Sequence, residues 1–256
     1  LALSFSFDLS PEAALRFFRK KGLQTSFAWQ DMWQQEHDAA FTVAKMMDID
    51  LLRDVRVAVD EAIAKGTTLQ AFRAQLEPLL LKQGWWGRAE MIDPITHEPQ
   101  LVQLGSPRRL ETIFRVNMQT AYVAGDQEQI EETADQAPFL MYDAVDDNKV
   151  RPQHKVWDDT VLRWDDPWWN THRPPNGWNC RCSVIQLSQR DLNREGLQVA
   201  PKAPVVTTRE YTNRRTGEVS RVPVGIDPGW AYNVGKSRLE HLRAELAEKR
   251  RAFNDD

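Results

Sequence analysis

Cysteine is nearly missing from this chain: two residues in 256, at positions 180 and 182. Cα atoms two positions apart rarely meet disulfide geometry, so Cys180 and Cys182 are expected to stay reduced thiols made in a cytoplasm. Long apolar runs are missing too. The longest uncharged run is about ten residues, well short of a bilayer-spanning helix. The opening residues, Leu1 to Asp8, carry neither a basic stretch nor a small-residue cleavage site, so no secretory signal is expected, and without an initiator Met a few leading residues are expected to be missing. No sign of charge dominates: 33 Lys and Arg face 37 Asp and Glu, and a net −4 excludes a bulk nucleic-acid binder. A glycine-rich phosphate loop, a Gly-x-Ser-x-Gly elbow and a His-Glu-x-x-His helix are all absent.

What remains is an ordinary globular composition, 41% hydrophobic and 27% charged, which excludes collagen-like and wholly disordered chains. A chain of this length buries roughly 70–75% of its unfolded surface, so it needs no disulfide or metal merely to fold. The departure from the ordinary is tryptophan, with ten residues.

Residues 1–136 read as a mainly helical region. Ser10-Pro11 opens a helix that stops at Gly22. Leu51, Leu52, Val55, Val59, Ala62 and Ile63 line one face of a second helix ended by Gly66. Thr67-Thr68-Leu69-Gln70 resembles a capping box ahead of Phe72, Leu76 and Leu80. Residues 85–105 read as a loop or short hairpin, and Ser106-Pro107 caps a helix reaching about Thr133. From Ala137 the character changes. Phe139 to Tyr142 and Cys182 to Leu187 read as strands, with a loop-rich stretch between them and a helix capped by Ser188 after them. Residues 201–256 form an extended tail, with a hairpin signal at Asn213 to Gly217 and an amphipathic helix over 237–253. The expected fold class is therefore α+β in three parts: a helical region 1–136, a small loop-rich α+β domain 137–200, and a hairpin-plus-helix tail 201–256. No internal repeat is apparent.

The informative stretch is 142–182. It holds Asp143, then Arg151-Pro152-Gln153-His154, an acidic run through Asp158 and Asp159, tryptophans ahead of Pro174-Pro175, then Trp178, and a closing Asn179-Cys180-Arg181-Cys182. In this order these elements resemble the phage Mu F-type minor head proteins, the phage head morphogenesis domain. Flanking matches at His37 to Ala44, Gly84-Trp85, Arg115 to Tyr122 and Gly225 to Asn233 extend the resemblance over roughly residues 8–236. It implies a non-enzymatic minor capsid protein inside the head near the portal vertex. The implied partners are the portal and major capsid proteins of the same phage, with host cytoplasm as the place of assembly and no membrane contact. The residues implied to form the structural motif are Asp143, Arg151, Pro152, Trp178 and Arg181.

By residue chemistry alone, His154, Cys180 and Cys182 are ligand types that zinc accepts, with His172 or an Asp as a possible fourth. The spacing matches no standard zinc finger, and plain buried thiols beside a hydrogen-bonded histidine account for the same residues. A second class is open: His154, Asn170 and His172 beside Asp146, Asp147, Asp158, Asp159, Asp165 and Asp166 superficially match a metal-dependent nuclease packaged with the genome. Arg151 and Arg181 are expected to pair with Asp143 or its neighbours. Five tryptophans fall within residues 157–178 and suit a small core, an interface or a base-stacking platform. Between Lys202 and Arg251 eleven basic residues face six acidic ones; the interleaved acids favour a hairpin and helix face kept soluble by arginines, with Arg214, Arg215 and Arg221 as candidate contacts to packaged double-stranded DNA.

Overall fold

The computed structural model describes residues 11–236. The helix expected over 237–253 lies outside the described residues. The chain divides into two compact units: Leu1–Gly125 with Glu210–Arg221, and Asp126–Arg209 with Val222–Asp256. The division falls inside one long helix, and residues 210–221 of the tail go with the first unit.

In the first unit, helix α1 (Pro11–Arg19) packs on α3 (Ile49–Lys65), and α3 packs on α4 (Leu69–Lys82). The face of α3 predicted from spacing is the face that is buried, with Leu52, Val55 and Ile63 wholly enclosed. Asp48 caps α3 by accepting the backbone N–H groups of Asp50 and Leu51. Thr68 caps α4 through the N–H of Ala71. Between α1 and α3 the chain is irregular: a 3₁₀ turn (Trp29–Asp31), the short α2 (Glu36–Ala39), and a two-residue parallel pair of β1 (Gly22–Leu23) with β2 (Ala40–Phe41). The 85–105 stretch is a hairpin of β3 (Arg88–Ile92) and β4 (Pro99–Gln103). Helix α5 (Pro107–Glu132) follows, its N–H at Arg109 received by the Ser106 hydroxyl.

The hairpin of β8 (Thr208–Thr212) and β9 (Val219–Pro223) turns in the same way as β3–β4. In each turn the first residue, Asp93 or Asn213, donates its N–H to the carbonyl of the sixth, Glu98 or Glu218, and accepts the N–H of the fifth on its own carbonyl. Its side chain takes the N–H two residues on, and a threonine oxygen takes the N–H of the glutamate. The fifth residue, His97 or Gly217, is left-handed in both. This equivalence was not legible as a repeat, because Asp for Asn and His for Gly preserve turn chemistry while changing the letters.

Arg215, in the second of these turns, forks between Asp31 and Asp93 and lies over the Phe27 ring at 5.3 Å. Its hydrogen bonds hold the Asp93 carboxyl down at about 2. Arg215, one of the three candidate DNA contacts, thus has its donors on two carboxylates of the same unit. Arg214 and Arg221 are exposed. Arg215→Ala is expected to lower the thermal midpoint clearly, because it strands the enclosed Asp93. Arg214→Ala is expected to stay within roughly 0.5 kcal/mol of the parent. Equal effects in a melting series would contradict this placement.

In the second unit, β5 (Phe139–Asp143) is the centre of an antiparallel sheet, β6 (Val161–Arg163) on one side and β7 (Ser183–Leu187) on the other. Alternation splits its side chains between two faces. Met141 joins Val161, Leu187 and Leu192 in one cluster, the last residue coming from α8 (Gln189–Glu195), which Ser188 and Asp191 cap reciprocally. Tyr142 points the other way, into the tryptophans. Two short helices, α6 (Pro152–Trp157) and α7 (Trp169–His172), complete the stretch expected to be loop. Among the described residues no helix is long and apolar enough to cross a membrane.

Candidate metal centre

Pro152 begins α6, where a missing N–H costs nothing and a fixed φ helps, so the turn is short and well defined. Two residues on, that turn carries His154 inward, where it is 1% exposed. From the other side, the chain runs through Gly177 to Asn179 into β7 and presents two buried thiols. His154, Cys180 and Cys182 place one donor atom each within 4.8 Å of one another. His154 Nδ1 is 3.4 Å from Cys182 Sγ and 3.8 Å from Cys180 Sγ.

The other ring nitrogen decides the tautomer. His154 Nε2 is 2.9 Å from the carbonyl oxygen of Gly225. A carbonyl only accepts, so Nε2 carries the proton and Nδ1 turns its lone pair toward the sulfurs. Metal-bound histidines characteristically have this arrangement, the far nitrogen anchored to a carbonyl. A tetrahedral zinc with ordinary bond lengths separates a sulfur and a nitrogen ligand by about 3.5 Å, between the two observed separations. The thiols also share their protons unequally. A hydrogen bond from Cys180 foremost lowers the Cys182 thiol, while that same bond and burial push Cys180 up. The donor set fits a soft divalent metal.

Around the three donors sits an aromatic shell. Trp157 stacks on the His154 ring at 5.3 Å and meets Tyr142 and Trp168 edge-on. Trp157, Trp168 and Trp169 are buried, whereas Trp164 and Trp178 are half-buried. The Tyr142 hydroxyl donates to Asn176 Oδ1 at 2.9 Å, and burial foremost, then the neighbouring thiols, push its pKa up.

His172 stands apart from the donor group. Its ring stacks on Trp168 and meets Trp157 edge-on, its Nδ1 faces the Thr171 hydroxyl, and burial holds it down at about 4. The expected fourth ligand is therefore placed in the aromatic shell. Asn170 accepts from Lys236 Nζ instead of joining His154. Several nearby carboxylates are also engaged separately: Asp158 takes the Ala144 N–H, Asp165 pairs with Arg163, and Asp166 takes the Trp168 N–H.

The motif arginines are engaged as well. Arg181 forms a two-pronged pair with Asp147, which it draws down to about 2. Arg151 reaches 76 positions along the chain to Asp227 at 2.7 Å, and to the Trp178 carbonyl at 3.0 Å. Arg181 thus pairs with a neighbour of Asp143, as expected, while Asp143 itself accepts from the Ser183 hydroxyl. Sequence reasoning placed Tyr142 and Asn176 in the informative stretch and Gly225 and Asp227 in a flanking match, without assigning any of the four to this site.

Residues 53–185 match the family model described as phage Mu protein F like protein. The putative capsid assembly protein F of Escherichia phage Mu is 40% identical over 266 residues, covering 98% of this chain and 60% of that protein. The Mu-like prophage FluMu F protein of Haemophilus influenzae is 37% identical over 228 residues, covering 84% of this chain and 54% of its own length. The chain thus spans a little over half the length of these curated relatives. No solved structure matches significantly.

Proposed function

Because the chain belongs to the phage Mu F-like family, we propose that it is a non-enzymatic minor capsid protein of a Mu-like tailed phage or prophage. It acts inside the head near the portal vertex, after assembly in the host cytoplasm, and supports head assembly and DNA packaging or ejection. Its partners are the portal and major capsid proteins, with packaged double-stranded DNA meeting the exposed Arg214 and Arg221. His154, Cys180 and Cys182 hold a structural zinc within a head-morphogenesis domain at 137–200. A bound zinc supplies crosslinking between α6 and the approach to β7, and the imidazole and two deprotonated thiols hold it there.

The observation that carries this reading is the internal engagement of the motif. Asp143, Arg151, His154, Trp178 and Arg181 all bond to other parts of the same unit. Residues held in this way suit a part that shapes and fixes a surface. The rival, a metal-dependent nuclease, calls for carboxylates and water converging on a hard cation that a phosphodiester can reach. Among the described residues, the one group able to hold a metal is buried and has two sulfurs.

The test is co-expression with the portal and major capsid proteins of the same phage. The chain is expected to co-purify with the portal, and Cys182→Ser is expected to weaken that association. Binding to neither partner, together with divalent-cation-dependent DNA cleavage that His154→Ala abolishes, would overturn the reading in favour of the nuclease.

A further inference from the structure

The segment Gly225–Trp230 lies against the same residues that frame the metal donors. Its first carbonyl, at Gly225, accepts from His154 Nε2. Its carboxylate, Asp227, takes Arg151 Nη2 at 2.7 Å and the Trp178 N–H at 2.9 Å. The Asp227 N–H donates to the Asn176 carbonyl, and Trp230 meets the Trp178 ring edge-on at 5.1 Å. Asn176 in turn receives the Tyr142 hydroxyl.

Both sides of this contact are built for close approach. A Cβ on Gly225, which is left-handed at φ +94°, would fall 2.5 Å from Gln153 and 2.7 Å from Trp157. A Cβ on Gly177 would fall 2.2 Å from the Asp227 carboxylate. Residues 153–157 and 176–178 are thus each held twice, once by the 225–230 segment and once through the neighbouring donor residues His154 and Cys180.

We propose that the metal centre and the 225–230 segment form one coupled fastener. Filling the His154, Cys180 and Cys182 donors seats the segment, and seating the segment strengthens metal binding. The inference rests on the zinc reading above. Its physical basis is the shared imidazole: the Gly225 carbonyl fixes the tautomer and the ring direction that aim Nδ1 at the metal, so Gly225 is a positioning residue and no ligand. Coupling of this kind is reciprocal, since whatever metal does for the segment the segment does for metal.

The test titrates the whole 256-residue chain with zinc against a chromophoric chelator, and follows backbone hydrogen exchange over 225–230. Asp227→Ala removes the anchor for Arg151 and Trp178 without touching a ligand. It is expected to weaken zinc by up to about tenfold, the low end of the scale for a ligand's own partner, because it releases the segment that carries the Gly225 carbonyl. Asp227→Asn, which keeps an acceptor for the Trp178 N–H, is expected to recover part of the loss and provides the same comparison should the alanine variant not fold. Asp165→Ala, in the Arg163 pair of the same unit, is expected to leave zinc affinity unchanged. Zinc removal from the parent chain is expected to speed exchange at Asp227 and Trp230. One zinc per chain with the same affinity in both Asp227 variants, and exchange indifferent to zinc, would overturn the coupling and leave the zinc site standing. A parent chain that takes up no zinc would overturn both.

Discussion

Treating the chain with a strong chelator is expected to lower the thermal midpoint of the second unit by roughly 10 °C or more, with recovery on adding zinc. The physical reason is that the stretch between β5 and β7 has little regular structure of its own. Its order comes from single contacts: one helix turn at 152–157, one at 169–172, a three-residue strand. A metal bound only by the folded arrangement contributes its binding free energy to that arrangement. Without it, the Cys180 and Cys182 sulfurs and the His154 nitrogen are weakly bonded buried polar atoms. Cys182→Ser is expected to reproduce the chelated midpoint and to make the chelator inert. A chelator effect of equal size in Cys182→Ser would place the responsible metal elsewhere.

Trp157→Ala is expected to cost about 3–5 kcal/mol in the same unit, the range for deleting a large buried aromatic side chain. Trp157 is 2% exposed, covers the His154 ring, and meets Tyr142, Trp168 and His172. Trp164→Ala is expected to cost much less, because that ring is half-buried. Urea unfolding of the two variants checks the ranking. The comparison also separates the readings left open by the tryptophan count, since a base-stacking or partner-binding ring is lost from the surface at little cost in stability. Equal, small losses would move Trp157 from core to interface.

The helical part of the fold was legible because its signals are local. The buried faces of α3 and α4 repeat at helical spacing, Thr68 caps α4, and Gly66 ends α3 in a left-handed turn. The same holds for the β5 and β7 strands and for the α8 cap at Ser188. Strand β6 escaped notice, because three residues between Thr160 and Trp164 give no alternation to read. The donor trio was visible by residue type, and the structure adds why its members face one another. What no local signal carries is pairing at long range. Arg151 with Asp227, His154 with the Gly225 carbonyl and Arg215 with Asp93 join positions 71 to 122 residues apart. From sequence, each arginine had nearer carboxylates to choose from, and Arg215 stood as a surface cation free to meet DNA.

Those distant pairings also explain why the motif spans so much chain. Arg151, His154 and Trp178 hold a segment from beyond the tail hairpin, so the residues of the Arg-Pro-x-His and Asn-Cys-Arg-Cys elements act as one fitting across the second unit. The groups displaced furthest from their ordinary ranges, Tyr142 and the two thiols, are buried together around one imidazole.

The most direct test is zinc-edge X-ray absorption on chain purified without chelators. A metal-organised centre predicts one zinc per chain with two sulfur ligands at about 2.3 Å and a nitrogen ligand at about 2.0–2.1 Å. Protein that contains no zinc, or zinc surrounded by oxygens alone, would contradict the account and return Cys180 and Cys182 to plain core packing.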